Sequence, residues 1–77
     1  MKLVISATPV APAQLMVVNG DEVVAEYKAY GQDYLERTIN KIFQERYIEA
    51  VQFIQHNAYT EKFIDYITNK YQNVEVL

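Results

Sequence analysis

The sequence contains no cysteine, which excludes disulfides, thiolate metal sites and cysteine nucleophiles together. It also has no tryptophan and only two glycines, too few for a glycine-rich loop that cradles phosphate. No apolar stretch approaches the roughly 20 residues that a membrane-spanning helix needs, so we expect no membrane partner. For a small domain without disulfides a reducing compartment is the simpler expectation, and we expect a cytoplasmic protein.

Length and charge set the next limits. The chain has 77 residues and a net charge of −3, from 10 acidic and 7 basic side chains. We therefore expect one α/β domain over residues 1–77, without an overall positive field that would attract nucleic acid or anionic lipid. A domain this short buries only about 60% of the surface that its unfolded chain exposes, and small domains often gain stability by oligomerising.

Strand patterns dominate the first 30 residues. Leu3-Val4-Ile5 predicts a first strand that ends near Ser6, and Pro9 and Pro12 predict an extended link after it. The apolar runs 14–18 and 23–30 flank Asn19-Gly20-Asp21, which predicts a tight β-hairpin. We expect one hairpin face to carry Met16, Val18, Val23, Ala25 and Tyr27. The expected opposite face carries Leu15, Val17, Val24, Glu26 and Lys28, and its charged end places the second strand near a sheet edge.

Two helices and two more strands are expected in the second half. Helical spacing predicts a first helix after Gly31, with a buried stripe at Leu35, Ile39, Ile42, Phe43 and Arg46 or Tyr47. Residues 50–54 read as a fourth strand, and residues 73–77 as a fifth. Between them, Thr60 is expected to cap a second helix with a stripe at Phe63, Ile64, Ile67 and Tyr71. The predicted fold is an α/β domain of order βββαβαβ with a mixed five-stranded sheet, whose fourth and fifth strands run parallel to the first.

This order, an antiparallel three-stranded meander followed by helix, strand, helix, strand, resembles in its topology the ribonuclease H-like fold in its compact resolvase-type form. In that family the first strand ends in a metal-binding Asp and the fourth strand ends in an acidic residue. Here Ser6 and Gln55 occupy the corresponding positions. Two-metal phosphodiester hydrolysis needs carboxylates to hold Mg²⁺, so the resemblance implies a nuclease-like fold without nuclease chemistry.

Polar side chains are expected to gather at the carboxyl ends of the parallel strands, where ligands bind in open α/β sheets. One interpretation is a small binding pocket, and the other is turn chemistry and helix capping. The residues concerned are Ser6, Thr8, Gln55, His56 and Asn57. His56 is the only histidine, and no nucleophile or metal-ligand motif accompanies it, so we expect no enzyme, cofactor or metal.

Tyrosine is the over-represented aromatic residue, with seven copies against three of phenylalanine. Tyr27, Tyr47 and Tyr71 lie on or beside the apolar stripes, and we expect them in the core. The other four do not fit those stripes. They are candidates for a protein interface or, equally, for half-exposed rings that cap a small core: Tyr30, Tyr34, Tyr59 and Tyr66.

Two function classes follow. The first is a non-enzymatic protein-interaction module, either a homodimer or an inhibitor of a host protein of the kind that small viral or mobile-element genes encode. The alternative is a catalytically inactive ribonuclease H-like module that binds nucleic acid through a stripe of basic helix residues. That stripe would need side-by-side helices and would consist of Arg37, Lys41, Lys62 and Lys70.

Overall fold

A computed structural model describes residues 1–77, and its seven elements follow the predicted order. They are β1 (Lys2–Thr8), β2 (Ala11–Asn19), β3 (Glu22–Ala29), α1 (Gln32–Glu45), β4 (Ala50–Phe53), α2 (Ala58–Lys70) and β5 (Glu75–Val76). The sheet order is β3-β2-β1-β4-β5, with antiparallel pairing among the first three strands and parallel pairing of β1 with β4 and of β4 with β5. The α/β class, the mixed five-stranded sheet and the edge position of β3 are thus confirmed.

One face of the sheet carries both helices. In β1, Leu3, Ile5 and Ala7 join the helix residues in a single apolar cluster, whereas the intervening Val4 is buried outside that cluster. This alternation follows from the pleat, which turns successive side chains to opposite faces. The stripe residues Leu35 and Ile39 of α1 are fully buried, as the helical spacing predicts. Neither helix is long and apolar enough to cross a membrane.

The predicted faces of the hairpin are wrong beyond its tip. Val18 pairs with Val23 as expected, but the register shifts before the next pair, so that Met16 lies opposite Glu26. The shift leaves Val24 as an additional residue in β3, which is a β-bulge. A single inserted residue exchanges the two faces of a strand, and Tyr27 consequently pairs with the fully buried Leu15.

The link between β1 and β2 is a turn rather than an extended segment. Thr8 pairs with Ala11, which leaves only Pro9 and Val10 between the two strands. Pro9 fits the first central position of such a turn because its ring fixes φ near −65°. The first strand therefore extends past Ser6 to Thr8.

The chain turns away from the helical path after α1, which corrects the expectation for Tyr47. α1 ends at Glu45, and Arg46 is extended, with φ −139° and ψ 150°. Helical spacing no longer applies beyond that point, and the side chain of Tyr47 is 78% exposed instead of buried. The fourth and fifth strands are also shorter than predicted, and span Ala50–Phe53 and Glu75–Val76.

Candidate functional site

The carboxyl ends of β1 and β4 bring Ser6 and Gln55 together. The backbone N–H of Ile54 donates to the carbonyl of Ile5 at 2.9 Å, which continues the parallel register beyond β4. One residue further on, the hydroxyl of Ser6 donates to the side-chain oxygen of Gln55 at 3.3 Å. Both side chains are half-buried. The pair is uncharged, and it lies at the positions for which the family resemblance implied carboxylates.

His56 and Thr8 do not join this pair. His56 is exposed and its side chain forms no hydrogen bond. The hydroxyl of Ser6 bonds to Gln55, and not to His56 or Thr8. No group of three or more His, Cys, Asp or Glu side chains lies close enough together to hold a metal ion. The two surface cavities lie elsewhere, one on β2 and β3 and the other at the carboxyl ends of the helices. The arrangement offers hydrogen bonding without an evident nucleophile–base pair.

Asn57 caps α2, which corrects the prediction that Thr60 is the cap. The side chain of Asn57 accepts the backbone N–H of Thr60 at 3.0 Å, and the hydroxyl of Thr60 accepts the backbone N–H of Asn57 at 2.9 Å. This reciprocal pair is a capping box with Thr60 three residues inside the helix. The hydroxyl of Thr60, fully buried, also donates to the carbonyl of Gln55 at 3.0 Å. Asn57 therefore acts as a helix cap, and Thr60 fixes the loop that carries Gln55.

Three of the four candidate interface tyrosines lie at this same end of the molecule. Tyr30 follows β3 and is 64% exposed, and Tyr34, in the first turn of α1, is 58% exposed. Tyr59 lies in the first turn of α2, half-buried, with its ring edge-on to Phe63 at a centroid distance of 5.3 Å. Tyr66 lies further along α2 and contributes to a different cluster. Tyr30 and Tyr34 are thus exposed, whereas the other two candidates, Tyr59 and Tyr66, are half-buried.

Two exposed aliphatic side chains lie at this end as well. Val10, in the β1–β2 turn, is 91% exposed, and Ile54, directly after β4, is 54% exposed. Because β1, β3 and β4 run in the same direction and the molecule measures only 29 × 23 × 20 Å, these residues share one small end of it. We call this region the carboxyl-end surface; it consists of Val10, Tyr30, Tyr34 and Ile54 together with the Ser6–Gln55 pair.

A polar cluster joins the two helices at mid-length. Asn40 of α1 donates to the hydroxyl of Tyr66 at 2.8 Å and accepts the hydroxyl of Tyr71, and Lys70 also donates to the hydroxyl of Tyr66, at 3.2 Å. Burial raises the pKa of the Tyr71 phenol above its usual range, and the hydrogen bond to Tyr66 raises the pKa of Lys70. The sequence analysis missed Asn40, although an asparagine beside the apolar stripe of a helix is a recognisable signal of a buried polar contact.

The four basic candidates are all exposed, and several lie against tyrosine rings. The guanidinium of Arg37 lies 5.7 Å from the ring centroid of Tyr34, and the ammonium of Lys62 lies 5.9 Å from that of Tyr59. Lys41 and Lys70 lie nearer the carboxyl ends of the two helices. The helices lie side by side, as the Asn40–Tyr66 contact requires. The four predicted basic residues therefore form two pairs: Arg37 and Lys62 lie nearer the amino ends of the helices, and Lys41 and Lys70 lie nearer the carboxyl ends.

Comparison of the chain with protein-family models, with curated proteins and with solved structures finds no match.

Proposed function

We propose that this protein is a non-enzymatic protein-interaction module that self-associates through its carboxyl-end surface. One observation carries the proposal. Seven large apolar or aromatic side chains are exposed, and four of them, Val10, Tyr30, Tyr34 and Ile54, belong to this surface. Scattered single apolar residues are normal on a soluble protein, whereas a concentration of them at one end is typical of an interaction site.

The chemistry of the surface favours a protein as the occupant. Tyrosine combines a large apolar ring with a polar hydroxyl, and it is enriched where proteins bind one another. The half-buried Ser6–Gln55 pair adds uncharged hydrogen-bonding groups at the same end. The cost of desolvating such groups on binding is far smaller than that of desolvating carboxylates.

The small core favours a second copy of the chain as that protein. Only 17 of the 77 residues are buried, which leaves a thin core. Self-association is a common way for such a domain to bury further apolar area, and homo-oligomers most often pair identical patches about a two-fold axis. A foreign target, as for an inhibitor encoded by a virus or mobile element, would occupy the same residues and is the competing outcome of the test.

The location of the interface can be tested by recording backbone amide NMR spectra over a dilution series. Self-association through the carboxyl-end surface predicts concentration-dependent shifts at Val10, Tyr30, Tyr34 and Ile54. Tyr47 provides the internal control, because it is at least as exposed as the two tyrosines but lies after α1, at the opposite end. Shifts confined to Tyr47 and its neighbours would contradict the proposal.

A catalytically inactive ribonuclease H-like module that binds nucleic acid is the second candidate. Two observations favour it, namely the strand order β3-β2-β1-β4-β5 and the Ser6–Gln55 contact at the ends of adjacent parallel strands. Arg37 and Lys62, each near a tyrosine ring, would supply phosphate contacts with stacking beside them. Fluorescence anisotropy with a labelled single-stranded oligonucleotide should then show affinity that falls steeply with salt. Absence of binding at low salt removes this candidate.

A further inference from the structure

A groove of about 370 Å³ lies between the carboxyl ends of the two helices, at the opposite end of the molecule from the carboxyl-end surface. Its walls include Phe43, Arg46 and Tyr47 from the end of α1, and Lys70 and Tyr71 from the end of α2. The volume falls within the range of small-molecule sites, which is roughly 300–1,000 Å³. We call it the helix-end groove.

Arg46 gives the groove a hydrogen-bond donor that has no acceptor. Its Nε atom is buried and has no hydrogen-bond partner, and it is the only buried side-chain nitrogen or oxygen in the protein in that state. The one ion pair of the protein joins the amino terminus to Glu49, so no carboxylate pairs with the Arg46 guanidinium either. Its two terminal guanidinium nitrogens also have no partner in the protein but are not buried, so a ligand in the groove can accept from these two atoms, whereas Nε lies out of its reach.

The charge of the groove also favours an anion. Its nine lining residues include two cations, Arg46 and Lys70, and no carboxylate. The two helices end here, and each helix carboxyl end contributes roughly half a negative charge, which opposes an anion. Two full positive charges outweigh that contribution. A guanidinium can in addition hold an oxyanion through two parallel hydrogen bonds.

Aromatic rings form the rest of the wall. Phe43 and Tyr71 are stacked, with centroids 4.0 Å apart and an interplanar angle of 9°. Tyr47 is 78% exposed and makes no aromatic pair, so one face of its ring is available to a ligand. Rings gain from stacking on other rings at separations of this order.

We propose that the helix-end groove binds a small molecule that has one aromatic ring bearing an oxyanion, either a carboxylate or a phosphate monoester. Arg46 donates from its two terminal guanidinium nitrogens to the oxyanion, Lys70 adds a second positive charge, and Tyr47 stacks on the ligand ring. This site is separate from the proposed interaction surface and does not depend on it.

The experiment follows the side-chain Nε–H resonance of Arg46 while phenyl phosphate or benzoate is added. A ligand of this size should bind with a dissociation constant on the order of 1 mM. We expect the Arg46 resonance to shift along a saturating curve, because the ligand binds to the same guanidinium. Phenol, which has the ring alone, and inorganic phosphate, which has the oxyanion alone, should each bind at least about tenfold more weakly. A difference between phenyl phosphate and benzoate identifies which oxyanion the site prefers.

Variants locate the effect in the groove. Arg46→Lys keeps the charge but lacks the two terminal guanidinium nitrogens, and Tyr47→Ala removes a ring whose exposure makes it dispensable for folding; each should weaken phenyl phosphate binding about tenfold. Lys41→Gln removes an exposed cation outside the groove and should leave binding unchanged. The proposal is overturned if the Arg46 resonance does not respond to either ligand, or if Lys41→Gln weakens binding as much as Arg46→Lys does.

Discussion

The hydroxyl of Ser6 donates a hydrogen bond to the side-chain oxygen of Gln55 at 3.3 Å, across the ends of the adjacent parallel strands β1 and β4. These two positions lie 49 residues apart in the chain and meet only because α1 carries the chain back to place β4 beside β1. The contact joins two uncharged groups where a metal-dependent nuclease would hold carboxylates. It therefore provides a specific point at which the resemblance to ribonuclease H-like proteins can be tested.

Introducing carboxylates at these two positions should create a weak divalent-cation site. The double variant Ser6→Asp, Gln55→Glu places two oxygen-donor side chains within contact distance, and hard cations bind such groups. We expect added Mn²⁺ to broaden the amide resonances of Ile5 and Ile54 in the double variant.

The wild-type protein and the single variant Ser6→Asp are the controls, and both should show much weaker broadening at the same Mn²⁺ concentration. Equal broadening in all three proteins would mean that the two positions do not converge on one cation.

Thr60→Val should destabilise the protein by about 2 kcal/mol, because it removes the hydroxyl that accepts from Asn57 and donates to Gln55 within a buried capping box. Chemical denaturation measures the change. Thr68→Val is the matched control: the hydroxyl of Thr68 is exposed and bonds only to backbone carbonyls of its own helix, so we expect a change within about 0.5 kcal/mol. Equal losses for the two variants would contradict the role given to Thr60.

The local sequence patterns predicted the helices and strands well. The errors arose where a single residue interrupts the regular spacing of apolar side chains. The order of strands and helices and the buried stripe of α1 follow from apolar spacing, and the parallel pairing of β4 and β5 follows from the helices that connect the strands. The bulge at Val24 has no signal in residue types, because Val23 and Val24 are chemically identical and either can be the additional residue. Tyr47 was misplaced for a similar reason: the stripe gives no sign that the helix ends at Glu45.

The contact between Ser6 and Gln55 could be predicted from the sequence, whereas the polar cluster around Asn40 could not. Strand ends indicated Ser6 and Gln55, and their contact follows from the parallel pairing of β1 with β4. The Asn40 cluster required knowledge of how two helices pack, since Tyr66 lies 26 residues away from Asn40. A single sequence does not specify that packing, because the apolar stripe of each helix shows which face meets the sheet but not which side chains of the two helices lie against each other.

Stability should fall above pH 10 in a way that depends on Tyr71. Burial raises the pKa of the Tyr71 phenol above the ordinary value of 10.0, so the folded protein holds this proton more tightly than the unfolded chain. The stabilisation that results is complete at pH values below the pKa of Tyr71 in the unfolded chain. It is lost as the pH rises through the pKa of Tyr71 in the folded protein. The raised pKa of Lys70 acts in the same direction. Urea unfolding across this range should show a shallower fall for Tyr71→Phe.

The exposed Tyr47→Phe is the control for that comparison, and it should follow the wild-type dependence on pH. A Tyr71→Phe protein that loses stability as steeply as the wild type would show that Tyr71 is not a source of the dependence.

Gly31 should tolerate substitution much less well than Gly20. Gly31 precedes α1 with φ 100° and ψ 167°, a backbone region essentially restricted to glycine, whereas Gly20 has φ 65°, a left-handed conformation that asparagine adopts readily. No atom lies within 4 Å of a Cβ added at either position, so backbone strain alone sets the cost. We expect Gly31→Ala to lose about 2 kcal/mol and Gly20→Asn about 0.5 kcal/mol or less in denaturant unfolding. Similar losses would contradict this assignment.

Sedimentation equilibrium over a range of protein concentrations measures self-association itself and needs no knowledge of a ligand. Self-association through the carboxyl-end surface predicts a mass that rises from monomer to dimer with concentration. The double variant Tyr30→Ser, Tyr34→Ser should remain a monomer, and Tyr47→Ser, with its 78% exposed ring at the other end, should dimerise like the wild type. A wild-type protein that stays monomeric at every concentration, or a Tyr30→Ser, Tyr34→Ser protein that still dimerises, would contradict self-association through the carboxyl-end surface.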